Sequence, residues 1–445
     1  MKILIINGSP KGEYSITLQT LLYLQKKFPE VHFETLHVGQ KIRALEKDFS
    51  PALRSIGDAD VLLFSYPVYT FIAPSQLHRF LELIKEYGVD VSGKIATQVT
   101  TSKHFYDTTA HRYIQDNVQE LGMHFIRGLS ADMDDLTKPE GQKEAENWFR
   151  HFLWAAEKGY FGPYAPIPSI PSIPATVPEE VSGEKQGNVV IIADLKPEDT
   201  QLANMVARFQ AKLPYATRVV NIREYPFQGG CLGCFRCAVS GKCIWKDKFD
   251  DFLRNEIQTA DAMVYAFTIS DHSMGARFKM YDDRQFCNGH RTVTIGMPVA
   301  YLVSGHLAAE ENLRTIIEGR AQVGRNILAG IATDEEDTDA AIDRLADSLT
   351  YSLEHKNTGP QNFYGVGGMK IFRDLIWQMR GFMRADHKFF KAQGQYDFPQ
   401  KTWPRNLAMY LVGALMTNPK VHSKMGNKMN EGMLMPYKKV LDNIK

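Results

Sequence analysis

The sequence predicts an α/β protein: two tandem doubly wound parallel sheets, strand order 2-1-3-4-5 in each, followed by a mainly helical extension. Three observations carry this prediction. The chain contains an ordered internal repeat, each copy alternates short apolar runs with helical periodicity, and composition changes near residue 354. At 445 residues the chain is too long for one ordinary domain. With 44% hydrophobic and 23% charged residues it has the balance of a globular protein. A net charge of +1 supplies no overall field that would select nucleic acid or a membrane.

The repeat is read from five matches in one order. Lys2–Gly8 lies on Asn188–Asp194, Leu24–Pro29 on Phe209–Pro214, Ala59–Phe64 on Ala260–Tyr265, Pro74–Phe80 on Gly275–Tyr281, and Gly93–Ala96 on Gly296–Val299. The shift widens from 185 to 201 residues between Ile222 and Ala260, so the second copy carries an insertion of about sixteen residues there.

In the first copy, strands are expected at Lys2–Asn7, Val31–His37, Val61–Ser65, Ile95–Thr101 and, more weakly, Phe125–Leu129. Their Ile, Val and Leu content suits strands buried on both faces. Helical periodicity marks Ser15–Phe28, Phe49–Ile56, Pro74–Tyr87, Thr108–Leu121 and Gln142–Lys158. Such βα units with right-handed crossovers build a parallel sheet covered on both sides. The boundaries expected are 1–160 for the first domain, 161–187 for a linker, 188–354 for the second domain and 355–445 for the extension. Six prolines between 161 and 187 favour an extended strap, with a disordered spacer as the alternative. From Glu354 onward Lys and Arg outnumber Asp and Glu by 15 to 6, and nine of the 17 methionines are there. Met369–Lys388 and Arg405–Met416 read as helices. A basic, apolar-striped helix most often docks on its own domain; a ferredoxin-type partner and a membrane surface are the other readings. The methionine-rich segment 425–435 could cover a cleft.

The chain opens directly on a strand pattern, with no charged region and apolar run of a leader. The apolar stretch Leu407–Met416 is too short to span a bilayer. A cytoplasmic location is therefore expected. Four of the five cysteines fall within thirteen positions, Cys231, Cys234, Cys237 and Cys243, inside the insertion. In a reducing compartment such clusters are metal or redox ligands more often than disulfides.

The loop after the first strand, Gly8-Ser-Pro-Lys-Gly-Glu-Tyr-Ser15-Ile-Thr17, opens the first helix. Anions bind there in open α/β sheets, at the carboxyl end of a strand beside a helix N-terminus. Ser9, Ser15 and Thr17 supply hydroxyls, Lys11 a charge, and Gly8 and Gly12 tight backbone geometry. A plain capped turn, with Ser15 as N-cap, is the alternative.

This run resembles the Gly-Ser-Pro-Arg-x-x-Ser-x-Thr fingerprint of NADPH-dependent FMN reductases, a flavodoxin-like family, with Lys11 in place of arginine. Ser65-Tyr-Pro-Val-Tyr-Thr-Phe71 resembles that family's Pro-x-Tyr loop. The resemblance implies an FMN-binding flavodoxin-like domain. Its implied contacts are Ser9, Pro10, Lys11, Ser15, Ile16 and Thr17 from the first loop, and Pro67, Val68, Tyr69, Thr70 and Phe71 from the second. A third loop adds Thr101 and Ser102. That loop departs from the family: its glycines are absent, and Phe105 and Tyr106 are bulky. In the second copy the fingerprint is replaced by Ala193-Asp-Leu-Lys-Pro-Glu-Asp-Thr200, so no flavin phosphate is expected there.

Cys-x2-Cys-x2-Cys-x5-Cys suits a [4Fe–4S] cluster better than zinc, whose usual frame is two separated Cys-x2-Cys knuckles. Zinc and a reduced thiol loop remain alternatives. Together the two copies resemble the iron–sulfur flavoproteins over about residues 1–350. That resemblance implies a covalent pseudo-dimer in which the cluster of copy two faces the FMN of copy one. Cys287 is a lone thiol, read as a small buried hydrophobe or a redox group. Tyr69 is read either as a flavin contact or as a core-edge aromatic, and both residues are weak catalytic candidates. His290 and Arg291 could contact an anionic substrate.

The reading is an FMN- and [4Fe–4S]-containing oxidoreductase acting on a small-molecule or protein acceptor, with NAD(P)H or ferredoxin as donor. The alternatives are an NAD(P)H-dependent FMN or quinone reductase with structural cysteines, and an electron carrier or redox sensor. No nucleic-acid partner is expected, and a homo-oligomer is left open.

Overall fold

The computed structural model describes residues 1–166, 168, 170–178, 185–417, 434, 435, 437, 438 and 440–444. The first half runs β1 (Lys2–Asn7), α1 (Ile16–Lys27), β2 (His32–Leu36), α2 (Val38–Leu45), α3 (Ser50–Gly57), β3 (Val61–Pro67) and α4 (Ser75–Glu86). It continues with β4 (Ile95–Ser102), α5 (Asp107–Glu120), β5 (His124–Phe125), β6 (Leu129–Asp132) and α6 (Pro139–Lys158). Its strands are parallel in the order β2-β1-β3-β4-β5, with β6 also pairing β4. The expected order 2-1-3-4-5 is present. The weak fifth strand is split, because residues 126–128 leave the ladder between β5 and β6.

Alternation along β1 assigns its side chains to two faces. Ile3 and Ile5 pack under Leu18, Leu21, Phe149 and Phe152 of α1 and α6. Leu4 and Ile6 pack with Phe80, Ile84 and Tyr113 of α4 and α5. The short helix α2, absent from the periodicity reading, closes against the first loop. A Cβ on its Gly39 would overlap the Gly8 carbonyl.

The second half repeats the plan: β7 (Gln186–Ala193), α7 (Thr200–Lys212), β8 (Tyr215–Asn221), α8 (Arg236–Ser240), α9 (Phe249–Phe252), β9 (Ala262–Thr268), α10 (Gly275–Arg284), β10 (Pro298–Ser304), α11 (Glu311–Gly324), β11 (Ile327–Thr333) and α12 (Thr338–His355). The order β8-β7-β9-β10-β11 is again 2-1-3-4-5, all parallel. Strap residues bind this half: Ile173 N–H donates to the Asp334 carbonyl (2.8 Å), and Arg208 donates to the Thr176 carbonyl (2.9 Å).

After α12 come α13 (Phe363–Gln378), α14 (Arg384–Ala392) and α15 (Trp403–Met416). The single helix expected over 369–388 is broken at 379–383, where Gly381 adds backbone freedom. Residues Phe390–Lys445 form a separate compact unit. Most of the methionine-rich segment 425–435 lies outside the described residues. Among the described residues no helix is long and apolar enough to cross a membrane.

The two halves share one apolar core, in which Phe80 and Ile84 join Phe278 and Ile316. Helix α4 pairs with α10, and α5 with α11. Buried polar groups fix the register. Asp271 accepts from the Tyr113 hydroxyl (2.8 Å) and meets His78 Nδ1 (2.6 Å), while Asn117 donates to its carbonyl (2.8 Å). Asp283, fully buried, accepts from Thr70 Oγ1 (2.7 Å), the Ser75 amide (2.8 Å) and Lys279 Nζ (2.5 Å). At the rim His272 lies between Glu310 (2.9 Å) and Glu120 (3.4 Å).

Two outcomes follow for stability. Burial works against the His272 imidazolium, but Glu120 and Glu310 outweigh it and raise His272 from 6.5 to about 9. A raised pKa contributes stability that is complete below pH 6.5 and lost as pH rises through about 9. Guanidinium denaturation of the wild type is expected to lose about 1–3 kcal/mol across that window, and His272→Gln to flatten the loss. An equal slope in both proteins would refute this role. Lys279→Met leaves the Asp283 carboxylate buried without its cation and is expected to cost about 3–5 kcal/mol. The double variant Lys279→Met/Asp283→Leu should recover part of that in the same assay.

Candidate functional site

The first loop is shaped by its own side chains. Asn7 Oδ1 accepts from the Ser9 amide (3.2 Å), Ser9 Oγ from the Lys11 amide (3.3 Å), and Ser15 Oγ caps α1 by accepting from Leu18 N–H (3.4 Å). Thr17 and Thr101 hydroxyls meet at 2.7 Å and join this loop to the end of β4. The hydroxyls, Lys11 and the N-terminus of α1 all border one cavity, a donor set suited to a phosphate.

The second loop is strained and held from across the interface. Thr70 (φ 40°) and Phe71 (φ 78°) have left-handed backbone that non-glycine residues rarely adopt. Tyr69 and Ile72 exchange backbone hydrogen bonds at 2.8 and 3.2 Å, and Lys279 Nζ donates to the Tyr69 carbonyl (2.9 Å). Lys279 and Asp283 thus fix the loop whose Pro67, Val68, Tyr69 and Thr70 face the cavity.

The cysteine loop lies between β8 and β9 and reaches over to the first half. Gln76 donates to the Cys231 carbonyl (3.2 Å), and Lys11 Nζ lies 5.6 Å from the centre of the Phe235 ring. Gly233 (φ 60°) sits on Tyr69: a Cβ there would overlap the phenol oxygen. Buried Arg284 holds the base, donating to the Gly229 carbonyl (2.8 Å) and to both Asp247 oxygens (2.7 Å each).

All five cysteines border the same cavity as the first two loops, a space of about 200 Å³. Burial, reinforced by Asp283, pushes the Cys231 thiol well above its ordinary range. Burial, then Asp386, raises Cys237 to about 11, and burial raises Cys287 to about 12 against the opposing Arg254. Two donors face the sulfurs: Gly233 N–H at 3.4 Å from Cys231 Sγ, and Arg284 at 3.9 Å from Cys243 Sγ. The donor set of four thiols on one glycine-bent loop fits a metal or cluster. Among the described residues, however, no three Cys, His, Asp or Glu groups converge on one metal point.

The third loop and α13 form the remaining wall. Phe105 stacks on Phe372 (centroids 4.5 Å apart), and Tyr106 packs on Phe71 (4.2 Å) and donates to the Tyr364 carbonyl (3.1 Å). The bulky residues that replace the family's glycines therefore seat α13. Ile371, Phe372 and Leu375 then border the cavity. None of these three was read as a site residue. The one sequence signal was Gly365 and Gly368 inside a helix; a Cβ on Gly368 would crowd Val323 and Phe105.

Of the residues expected to contact a flavin, Ser9, Lys11, Ser15, Ile16, Thr17, Pro67, Val68, Tyr69, Thr70, Thr101 and Ser102 border the cavity. Pro10 does not. Phe71 faces an adjoining cavity of about 160 Å³. Arg284 and Phe286 line the first cavity without having been singled out. At the equivalent place in the second copy, carboxylates fill the anion position. Asp199 caps α7 by accepting from Leu202 N–H (3.1 Å), and Asp194 pairs with Arg223 (2.6 Å).

Residues 1–134 match the family model described as NADPH-dependent FMN reductase. An iron–sulfur flavoprotein of Archaeoglobus fulgidus is 24% identical over 175 residues, 37% of this chain and 78% of the relative. Solved structures similar to the chain include an NAD(P)H:quinone oxidoreductase from Methanothermobacter marburgensis (14% identity, 37% of this chain and 97% of that one, TM-score 0.28). Another is the general stress protein 14 of Treponema denticola in complex with FMN (15% identity, 36% and 99%, TM-score 0.28). The first 134 residues thus match the NADPH-dependent FMN reductase model, a 175-residue stretch is similar to an iron–sulfur flavoprotein, and the chain is a flavin-dependent oxidoreductase.

Proposed function

We propose that the chain binds one FMN in its first half and a [4Fe–4S] cluster on Cys231, Cys234, Cys237 and Cys243, and passes electrons between them to an external acceptor. The observation that carries this reading is that the flavin-type loops of copy one and the cysteine loop of copy two border a single cavity. FMN, when bound, supplies the exchange between two-electron and one-electron chemistry.

The chain's own residues do the rest. Ser9, Lys11, Ser15 and Thr17 hold the phosphate at the head of α1, and Pro67–Thr70 orient the ring. Phe105, Phe286, Phe372 and Leu375 exclude water from the space above it, which strengthens every charge interaction inside. Arg284 and the Gly233 amide offset negative charge on ligating sulfurs. NAD(P)H is the donor the family description supports, and a carrier such as ferredoxin fits the cluster equally well.

A second reading has one observation in its favour. Among the described residues the thiols do not converge on one metal point, and burial favours the neutral form of Cys231 and Cys237. An NAD(P)H-dependent FMN or quinone reductase with unligated cysteines matches that state.

Anaerobic purification followed by counts of flavin, iron and sulfide separates the two. The proposal expects about one FMN, four irons and four sulfides per chain. Cys234→Ala should lose most of the iron and keep the flavin. Flavin without iron would leave the second reading, and absence of both would remove each of them.

A further inference from the structure

His290 borders the flavin-side cavity and the adjoining one, and no cofactor loop accounts for it. Its ring is fixed from several directions. Asp386 Oδ2 lies 2.9 Å from His290 Nδ1 and 3.1 Å from its backbone N–H. Asp386 is fully buried although it lies 96 positions away in the chain. A carboxylate only accepts, so Nδ1 carries the hydrogen and donates it to Asp386. Phe372 meets the ring edge-on at 4.9 Å, and Phe286 at 6.0 Å. Gly289 makes the approach possible: its φ is 62°, and a Cβ there would overlap the Asp386 carboxylate. Among the described residues no protein group partners Nε2.

We infer that His290 is the catalytic proton donor to the acceptor, with Asp386 as its positioning residue. This rests on the flavin-oxidoreductase reading. A carbonyl or quinoid acceptor that receives a hydride equivalent, ultimately from NAD(P)H, gains an electron pair and one hydrogen and is left with a negative oxygen. The imidazolium of His290 gives its Nε2 proton to that oxygen. The N–H bond breaks, the O–H bond forms, and the neutral ring keeps its Nδ1 hydrogen on Asp386. Solvent returns the proton, so NAD(P)H, one proton and the acceptor become NAD(P)⁺ and the reduced acceptor. Groups of suitable pKa at hydrogen-bond reach contribute rates of about 10²–10⁴ in such transfers.

The charged and titratable groups around the ring are Asp386 and Arg291 on the Nδ1 side, the latter 3.7 Å from Asp386. Lys11, Arg284 and the thiols of Cys237 and Cys287 line the cavity it faces.

The test compares two acceptors on the purified, flavin-loaded full chain with NADPH as donor: 1,4-benzoquinone, which needs protons, and ferricyanide, which takes one electron and none. His290→Gln is expected to lower the ratio of quinone to ferricyanide turnover about a hundredfold. Asp386→Asn, which keeps the shape of the side chain but loses its charge, should lower the same ratio while ferricyanide turnover is kept. An unchanged ratio in His290→Gln overturns the proposal. So does an equal loss of quinone and ferricyanide turnover in Asp386→Asn. A wild type that binds no flavin, or leaves ferricyanide oxidised with both NADPH and a reduced ferredoxin as donor, refutes the oxidoreductase reading itself.

Discussion

The carboxylate of Asp283 is the constraint on which the site depends. It is fully buried, and its oxygens accept from Lys279, from Thr70 and from the first amide of α4. A buried ion without partners costs several kcal/mol, whereas this one is saturated by charge and by hydrogen bonds. Two of its three donors belong to the first half, so the second half cannot dock elsewhere without stranding it. Thr70 and Phe71 hold left-handed backbone that costs about 1–3 kcal/mol each, and such conformations persist only where their surroundings over-determine them. Asp283 and Lys279 supply that determination. The next residue, Arg284, turns to the cysteine loop. Consecutive positions on α10 therefore set two opposite walls of the cavity.

The two copies have diverged in a way that charge explains. In copy one the N-terminus of α1 is capped by the neutral Ser15 hydroxyl, with other hydroxyls and Lys11 as neighbours. In copy two Asp199 occupies the equivalent donors itself, and Thr268 is bonded to its other oxygen. A phosphate there would have to displace a covalently tethered anion. The carboxylate cap satisfies a helix N-terminal amide of α7 by itself.

Much of this was legible in the sequence, and the remainder was hidden for definite reasons. Strands such as Ile3–Ile6 and Val189–Ile192 are apolar on both faces, which is what a doubly covered parallel sheet requires. The changing repeat offset located the cysteine insertion, and the serines of the first loop marked where hydroxyls gather at the head of α1. Periodicity could not say where α13 docks, because a helical stripe specifies a face and not its partner. Its glycines and the bulky Phe105 and Tyr106 were two halves of one contact, separated by more than 250 residues. The pairing of His290 with Asp386 left no local trace, since neither residue lies in a motif. The break between α13 and α14 was missed because the apolar pattern continues across Gly381.

The arrangement of Arg284 bears on how thiols could gather around a cofactor. Its guanidinium binds the Gly229 carbonyl and grips Asp247 with two parallel hydrogen bonds, and these residues bracket the four clustered cysteines. Such a planar fork is more rigid than any single contact. Phe227, Phe249 and Trp245 surround it, so the base of the loop is also packed. Between those fixed ends, Gly233 and Gly241 adopt positive φ at no steric cost and bend the chain. A loop pinned at its base and bent at its glycines brings its four thiols to one cavity, where Gly233 and the Cys231 carbonyl meet the first half. Its closure entropy has already been offset in folding. The charge that makes this favourable is in place as well, because the guanidinium that pins the loop also approaches Cys243 Sγ.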